Sequence, residues 1–200
     1  MSAPLNLAIF VSGVGRNLQA LNESCRSGEL AGLARIVLVV SSASAAPARE
    51  AASSAGIDTF LYSRDIGCPR LLEELSRREV VLIALAGYLK LIEPELVSRY
   101  RDRILNIHPA LLPKHGGKGI YGLHVHRAVL DAGEKETGAT VHIVDEAYDT
   151  GRILAQERVA VKADDTPEAL EARVIEIEKT LYPKTIAAYI RETIPTNERD

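Results

Sequence analysis

The run from 80 to 86, Val-Val-Leu-Ile-Ala-Leu-Ala, is apolar at every position, and a strand of that kind is stable only when both of its faces are covered. Its context supplies the cover. Residues 5–11, 34–40, 59–62 and 104–107 are further short apolar or β-branched runs, and helical patterns start at Asn17 and span 43–55, 71–78 and 95–100. Strands alternating with helices predict an α/β fold: one doubly wound, mostly parallel twisted sheet with helices on both faces and ligands at the carboxyl ends of the strands.

The rest of the chain extends this pattern. Gly56 should end the second helix, and Pro94 suits the first turn of the one that follows it. A helix is expected over 121–132, closing at Gly133, then strands over 140–144 and 153–161 joined across 145–151. The last helix starts at Asp165-Thr-Pro-Glu168, with Thr166 as cap, Pro167 in the first turn and Glu168 favourable to the dipole; Pro183 should kink or end it. The polar tail from 193 to 200 is expected to be loose. With 200 residues and no internal repeat or linker, the chain reads as a single domain over 1–200.

Composition excludes several classes. Hydrophobic residues make up 46% and charged residues 26%, which rules out a disordered chain. A formal net charge of -3 gives no bulk attraction for nucleic acid, so a phosphate must be gripped locally. No apolar run approaches the ~20 residues a bilayer requires, and there is no signal-peptide pattern. Cys25 and Cys68 form neither a CxxC pair nor a ligand cluster, as expected of a reducing, cytoplasmic setting.

Two motifs carry chemistry. Asn106-Ile-His108-Pro109 follows the fifth apolar run, and in a strand residues two apart project from the same face. An amide there can donate to a developing oxyanion, and an imidazole can move a proton near neutrality. Asp149, in Asp149-Thr-Gly151, could orient that imidazole and favour its charged form. The second motif, Ser12-Gly-Val-Gly15-Arg16-Asn17, lies between the first strand and first helix, where backbone N–H groups can cradle a phosphate. It is not a dinucleotide fingerprint: Leu18 stands at the third glycine position, and the second strand runs into Ser41-Ser42 rather than an acidic residue.

With these pieces in order the chain resembles the glycinamide ribonucleotide formyltransferase family. The resemblance runs from the first strand to Tyr182-Pro183 and is carried by Ser12–Ala20, Leu85–Ile92, Asn106–Lys114 and Gly138–His142 continuing to Gly151. It implies transfer of a formyl group from the co-substrate 10-formyltetrahydrofolate to 5-phosphoribosyl-glycinamide, with no metal, no nucleic acid or membrane partner, and a monomer or homodimer. By the same resemblance Asn106, His108 and Asp149 are catalytic. Gly15, Arg16, Asn17 and Glu178 bind the ribonucleotide, while Leu89, Lys90, Leu91, Ile92 and Asn106, with the loop Asp145, Glu146, Ala147, Tyr148 and Asp149, bind folate. Arg64 aligns with an arginine at the folate tail, with Arg70 as competitor.

Val14 and Arg16 replace residues that are more usually polar or small, Thr150 stands where glycine is frequent, and residues 115–122 are longer than in the shortest members. The alternative is another 10-formyltetrahydrofolate enzyme, acting on a sugar nucleotide or methionyl-tRNA or hydrolysing the folate; the last two carry extra domains for which the chain has no room. A noncatalytic nucleotide-binding module would need no Asn106, His108 and Asp149. Among the remaining residues, His142 reads as a structural hydrogen-bonder and Lys118 as a solvated loop residue. His124 and His126, two apart on a helix, are no metal pair. The charges from 73 to 79 read as a solvated helix face.

Overall fold

The computed structural model describes residues 3–63 and 65–194. Central strand β1 (Leu5–Val11) pairs in parallel with β2 (Ala34–Ser41) on one side and β4 (Val80–Leu85) on the other. Beyond β2 lies parallel β3 (Thr59–Leu61), and beyond β4 parallel β5 (Ile104–His108). Two antiparallel strands, β6 (Glu136–Ile143) and β7 (Ile153–Ala160), complete the sheet in the order β3-β2-β1-β4-β5-β6-β7. The sheet is mostly parallel, as expected. Connections from β1 and β3 leave in opposite directions along the sheet, which opens a crevice at the carboxyl ends of β1 and β4.

Among the described residues six helices, α1 (Arg16–Ser27), α2 (Pro47–Ser54), α3 (Cys68–Arg77), α4 (Pro94–Arg99), α5 (Leu123–Asp131) and α6 (Pro167–Thr193), follow or flank these strands. The side-chain alternation of β1 shows why both faces must be covered. Leu5, Leu7, Ile9 and Val11 pack with Leu18 and Leu21 of α1 and Val174, Tyr182 and Ile186 of α6, whereas Ala8 and Phe10 pack with Leu71 and Leu75 of α3 and Leu96 of α4.

Pro183, expected to kink or end the last helix, does not end it: α6 continues ten residues past it, to Thr193. A proline removes one intrahelical bond, but Tyr182, Ile186, Ala187 and Ile190 are all fully buried, and their burial outweighs that loss. The Tyr182 hydroxyl donates to the carbonyl oxygens of Leu105 and Leu85 at 2.9 and 3.1 Å, tying α6 to β5 and β4. This fixes Glu178, one turn earlier on the same face, beside the strand ends.

The charged face of α3 is not wholly solvated either. Glu74 is buried and collects Arg70, Arg77 and Arg78, and Arg78 also reaches Asp58. At β6 the pairing reaches back from the expected 140 to Glu136, because β7 supplies partners over 136–139. The tail residues 195–200 fall outside the described part. Among the described residues no helix is long and apolar enough to cross a membrane.

Candidate active site

Where β1 stops at Val11, the chain turns through Gly15, whose φ of 85° is left-handed and whose Cα lies so close to α2 that a Cβ would sit 2.7 Å from that of Ala48. Only glycine meets both conditions. The first turn of α1 carries no acidic residue, and no side chain caps it, so its leading N–H groups face the crevice end without a side-chain acceptor. Asn17 donates to Glu178 Oε2 at 3.1 Å, and Arg16 Nη2 lies 3.3 Å from Glu171 Oε1. Burial pushes the Glu178 carboxyl up to about 7, with the Asn17 hydrogen bond and the Arg16 charge pulling the other way and Glu171 adding to the rise.

Ser12, the first residue of the glycine-turn motif, is not part of the cavity lining but braces it, a role that sequence reasoning missed. Its hydroxyl accepts from the backbone N–H of Leu89 at 3.0 Å and pairs with the Ser42 hydroxyl at 2.6 Å, while its own N–H donates to Gly87. One small side chain thereby ties the glycine turn to the segment 87–89. Nothing in the local pattern distinguishes it from an ordinary turn serine.

Asn106 and His108 project from the same face of β5, as their spacing requires, and Asp149 arrives from the loop between β6 and β7 with a φ of 57°. That loop turns back against the end of β6 so tightly that a Cβ on Gly151 would lie 1.8 Å from the carbonyl oxygen of Ile143. His108 Nδ1 lies 3.5 Å from Asp149 Oδ2, and Asn106 Nδ2 donates to Asp149 Oδ1 at 3.4 Å. The three expected groups therefore converge.

Two features of this cluster add to expectation and a third departs from it. The antiparallel register sets Asn106 opposite His142. His142 Nδ1–H donates to Ile143 O at 2.8 Å, which leaves Nε2 to accept from Asn106 at 3.1 Å, so His142 belongs to the site and orients the amide. Next, His108 Nε2 donates to the carbonyl oxygen of His115 at 2.8 Å, and Gly117 N–H donates to Asp149 Oδ2 at 2.9 Å, so residues 115–117 cap both groups.

The third difference is electrostatic. Asp149 and the His115 carbonyl do favour the charged form of His108, but burial opposes it more strongly and the neighbouring His142 and His115 rings add to the opposition; its pKa falls below the ordinary value. Asp149 itself is pushed up by burial, yet the His142 ring 3.5 Å away, the His108 charge and the Gly117 N–H outweigh this and hold its carboxyl below the usual range. The pair is a neutral imidazole facing a carboxylate at neutral pH.

His126 is buried by α5 to 1% exposure on the cavity wall, where its Nδ1 has no hydrogen-bond partner among the described residues; burial and the His108 ring lower its pKa to about 4. Burial pushes the thiols of Cys25 and Cys68 up to about 11, which leaves no thiolate to act as a nucleophile.

Asn106, His108, Asp149, His142 and His126 line one cavity of about 350 Å³, open at the crevice. Its lining takes Gly15, Arg16 and Asn17 from the glycine turn and the start of α1, Glu178 from α6, Asn106 and His108 from β5, Leu89, Lys90, Leu91 and Ile92 from the segment after β4, and Ala147, Tyr148 and Asp149 from the loop between β6 and β7. Two expected folate contacts do not reach it: Asp145 and Glu146 stand off the wall, and the Asp145 carboxylate instead closes its own loop by accepting from Ala147 N–H and Thr150 Oγ1. Arg64 lies outside the described residues. Arg70 is exposed on α3 and engaged by Glu73 and Glu74.

The formyl transferase family profile matches residues 5–186. The chain is 45% identical to the chloroplastic phosphoribosylglycinamide formyltransferase of Arabidopsis thaliana over 96% of its own length and 68% of that protein's, and 43% identical to the one from Vigna unguiculata over 94% of its own and 62% of that protein's. It spans about two thirds of these plant proteins. A crystal structure of phosphoribosylglycinamide formyltransferase from Brucella melitensis superposes with a TM-score of 0.84 at 37% identity, covering 96% of this chain and 98% of that one. An amide, an imidazole and a carboxylate meeting at the end of β5, on a sheet of this order and with a profile match over nearly the whole chain, place it in the formyl transferase family.

Proposed function

We propose that this chain transfers the formyl group of 10-formyltetrahydrofolate to the amine of 5-phosphoribosyl-glycinamide, a step in purine biosynthesis, and that residues 1–200 act as one domain. The observation that carries the reading is that one cavity is lined both by the uncapped α1 turn, suited to a phosphate, and by the Asn106, His108 and Asp149 cluster, suited to acyl chemistry.

The segment after β4 fits the co-substrate. Leu89 and Leu91 are 46% and 38% exposed at the rim, with Tyr88 and Ile92 buried beneath them, and exposed apolar side chains beside a concave site suit a flat heteroaromatic ring. When bound, 10-formyltetrahydrofolate supplies an electrophilic formyl carbon. Leu89, Lys90, Leu91, Ile92, Ala147 and Tyr148 would hold it. In our reading Asn106 Nδ2–H and His108 Nε2–H donate to the formyl oxygen as it gains charge, Asn106 exchanging its long bond to Asp149 and His108 its bond to His115 O. A neutral His108 serves as well as an imidazolium here, because the Nε2 proton is the donor in both. Asp149, ionised at neutral pH, would accept the proton that the attacking amine loses, directly or through a water, and pass it to the leaving folate nitrogen as the bond from that nitrogen to the formyl carbon breaks, which regenerates the carboxylate and releases tetrahydrofolate.

Glu178 would receive the ribose hydroxyls, and Gly15, Arg16 and Asn17 the phosphate. We place the enzyme in a reducing, cytoplasmic compartment on its two free cysteines, as a monomer or homodimer. The test is formyl transfer by the purified protein, reading the folate product with glycinamide ribonucleotide and 10-formyltetrahydrofolate, beside His108→Ala. Transfer that requires His108 supports the reading; transfer to a sugar nucleotide in place of glycinamide ribonucleotide rejects the substrate.

A further inference from the structure

The glycine-turn lining of the cavity holds an ion pair that the reaction does not require. Arg16 is the first residue of α1 and half exposed, with its guanidinium turned across the crevice to Glu171, which lies seven residues before Glu178 on α6. Seven residues are two helical turns, so both carboxylates face the glycine turn. Arg16, Asn17, Glu171 and Glu178 all line the cavity. The turn is thus linked twice to α6, through Arg16 to Glu171 and through Asn17 to Glu178.

We propose that Glu171 is a positioning residue that sets how tightly the substrate phosphate is held, by competing with that phosphate for the Arg16 guanidinium. The proposal rests on the phosphate reading of the turn given above and deepens it. Three observations carry it. Arg16 is the only charged side chain in the turn 12–17, so it is the one mobile cation a phosphate can recruit there beside the fixed N–H groups of α1. Its described ionic partner is Glu171, whose carboxylate accepts no other hydrogen bond among the described residues. The pair is only partly buried, 49% and 22% exposed, so it can open without stranding a charge in an apolar setting. A phosphate at the α1 terminus takes Arg16 and leaves Glu171 as an unpaired like charge beside it; both effects weaken binding.

The direction of the outcome separates this role from a structural one. In Glu171→Gln, the dissociation constant of inorganic phosphate, read by equilibrium titration, and the KM for glycinamide ribonucleotide should both fall by about two- to fivefold, the range that an ion pair of this exposure spans, with more of the change in KM than in kcat. Arg16→Ser should raise both constants, and adding Glu171→Gln to it should return less than half of the gain seen alone. A pair that only braced the fold would lower thermal stability in Glu171→Gln and leave the constants unchanged or higher, and that result overturns the proposal. Arg16→Ser with unaltered phosphate binding overturns it differently, by removing the phosphate reading of the turn. Because the titration needs no turnover, failure of formyl transfer can be told apart from both.

Discussion

The amide of Asn106 is held by His142, whose Nε2 accepts it at 3.1 Å because the Nδ1–H of the same ring is committed to the carbonyl of Ile143. His142 therefore acts through Asn106 rather than on a substrate. His142→Ala should lower kcat about tenfold, within the coupling range of contacting residues, and His142→Gln, which retains an acceptor, should recover part of the loss. In an Asn106→Ala background the further loss should be under threefold. Fully additive losses in the double variant would assign His142 a role of its own.

Asp149 is ionised in the folded site and lies against both donors. Asp149→Asn keeps the shape and removes the base, and kcat should fall by about 10²–10⁴-fold with a smaller change in KM. Steady-state assays across pH check the cause. The acid limb of kcat in the parent protein should sit below the ordinary carboxylate range, in keeping with the lowered pKa, and should vanish in the variant.

Gly116 packs against the cluster from the loop side. A Cβ there would meet Leu112 Cδ2 at 2.5 Å and Asp149 Cβ at 3.1 Å. Gly116→Ala should therefore push Asp149 a short way and lower kcat, though by less than the about 10²-fold that a displacement on the order of 1 Å costs. Thermal unfolding should report a loss of about 1–3 kcal/mol from overpacking. An unchanged kcat would show that the loop absorbs the methyl group without moving the carboxylate.

Burial of the Glu178 carboxyl comes at the expense of stability. Its folded pKa of about 7 exceeds the unfolded value, so its contribution is fully present below the unfolded pKa and is lost as pH rises from there through 7. Glu178→Gln removes that loss and should raise the melting temperature at pH 8 more than at pH 5. The same change should raise the KM for glycinamide ribonucleotide at least about tenfold, because hydrogen bonds to a charged acceptor are worth about 1.5–3 kcal/mol. Melting curves at the two pH values and KM together test both halves.

His126 produces the opposite slope. Its pKa falls to about 4 in the folded state, so the unfolded chain binds the extra proton as pH drops from 6.5 towards 4, and stability declines across that window. The loss is on the order of 2–3 kcal/mol. His126→Asn, which cannot titrate, should flatten denaturant unfolding free energy over pH 4–6.5 relative to the parent protein. An unchanged slope would place the acid sensitivity elsewhere, with the carboxylates.

The sequence by itself determined the class of fold, the order of its elements and the three groups at its centre. Those features follow from local rules: an apolar run such as 80–86 demands two covered faces, a Gly15 turn before a helix demands a left-handed residue, and residues two apart on a strand share a face. What it could not determine depends on contacts between segments far apart in the chain. Only the antiparallel register of β5 and β6 sets His142 against Asn106, and only burial of α6 beneath the sheet carries a helix through Pro183. The sign of the His108 shift belongs to the same group. Asp149 raises it as its charge alone would suggest, but desolvation scales with everything packed around the ring, and that sum exists only in the folded chain.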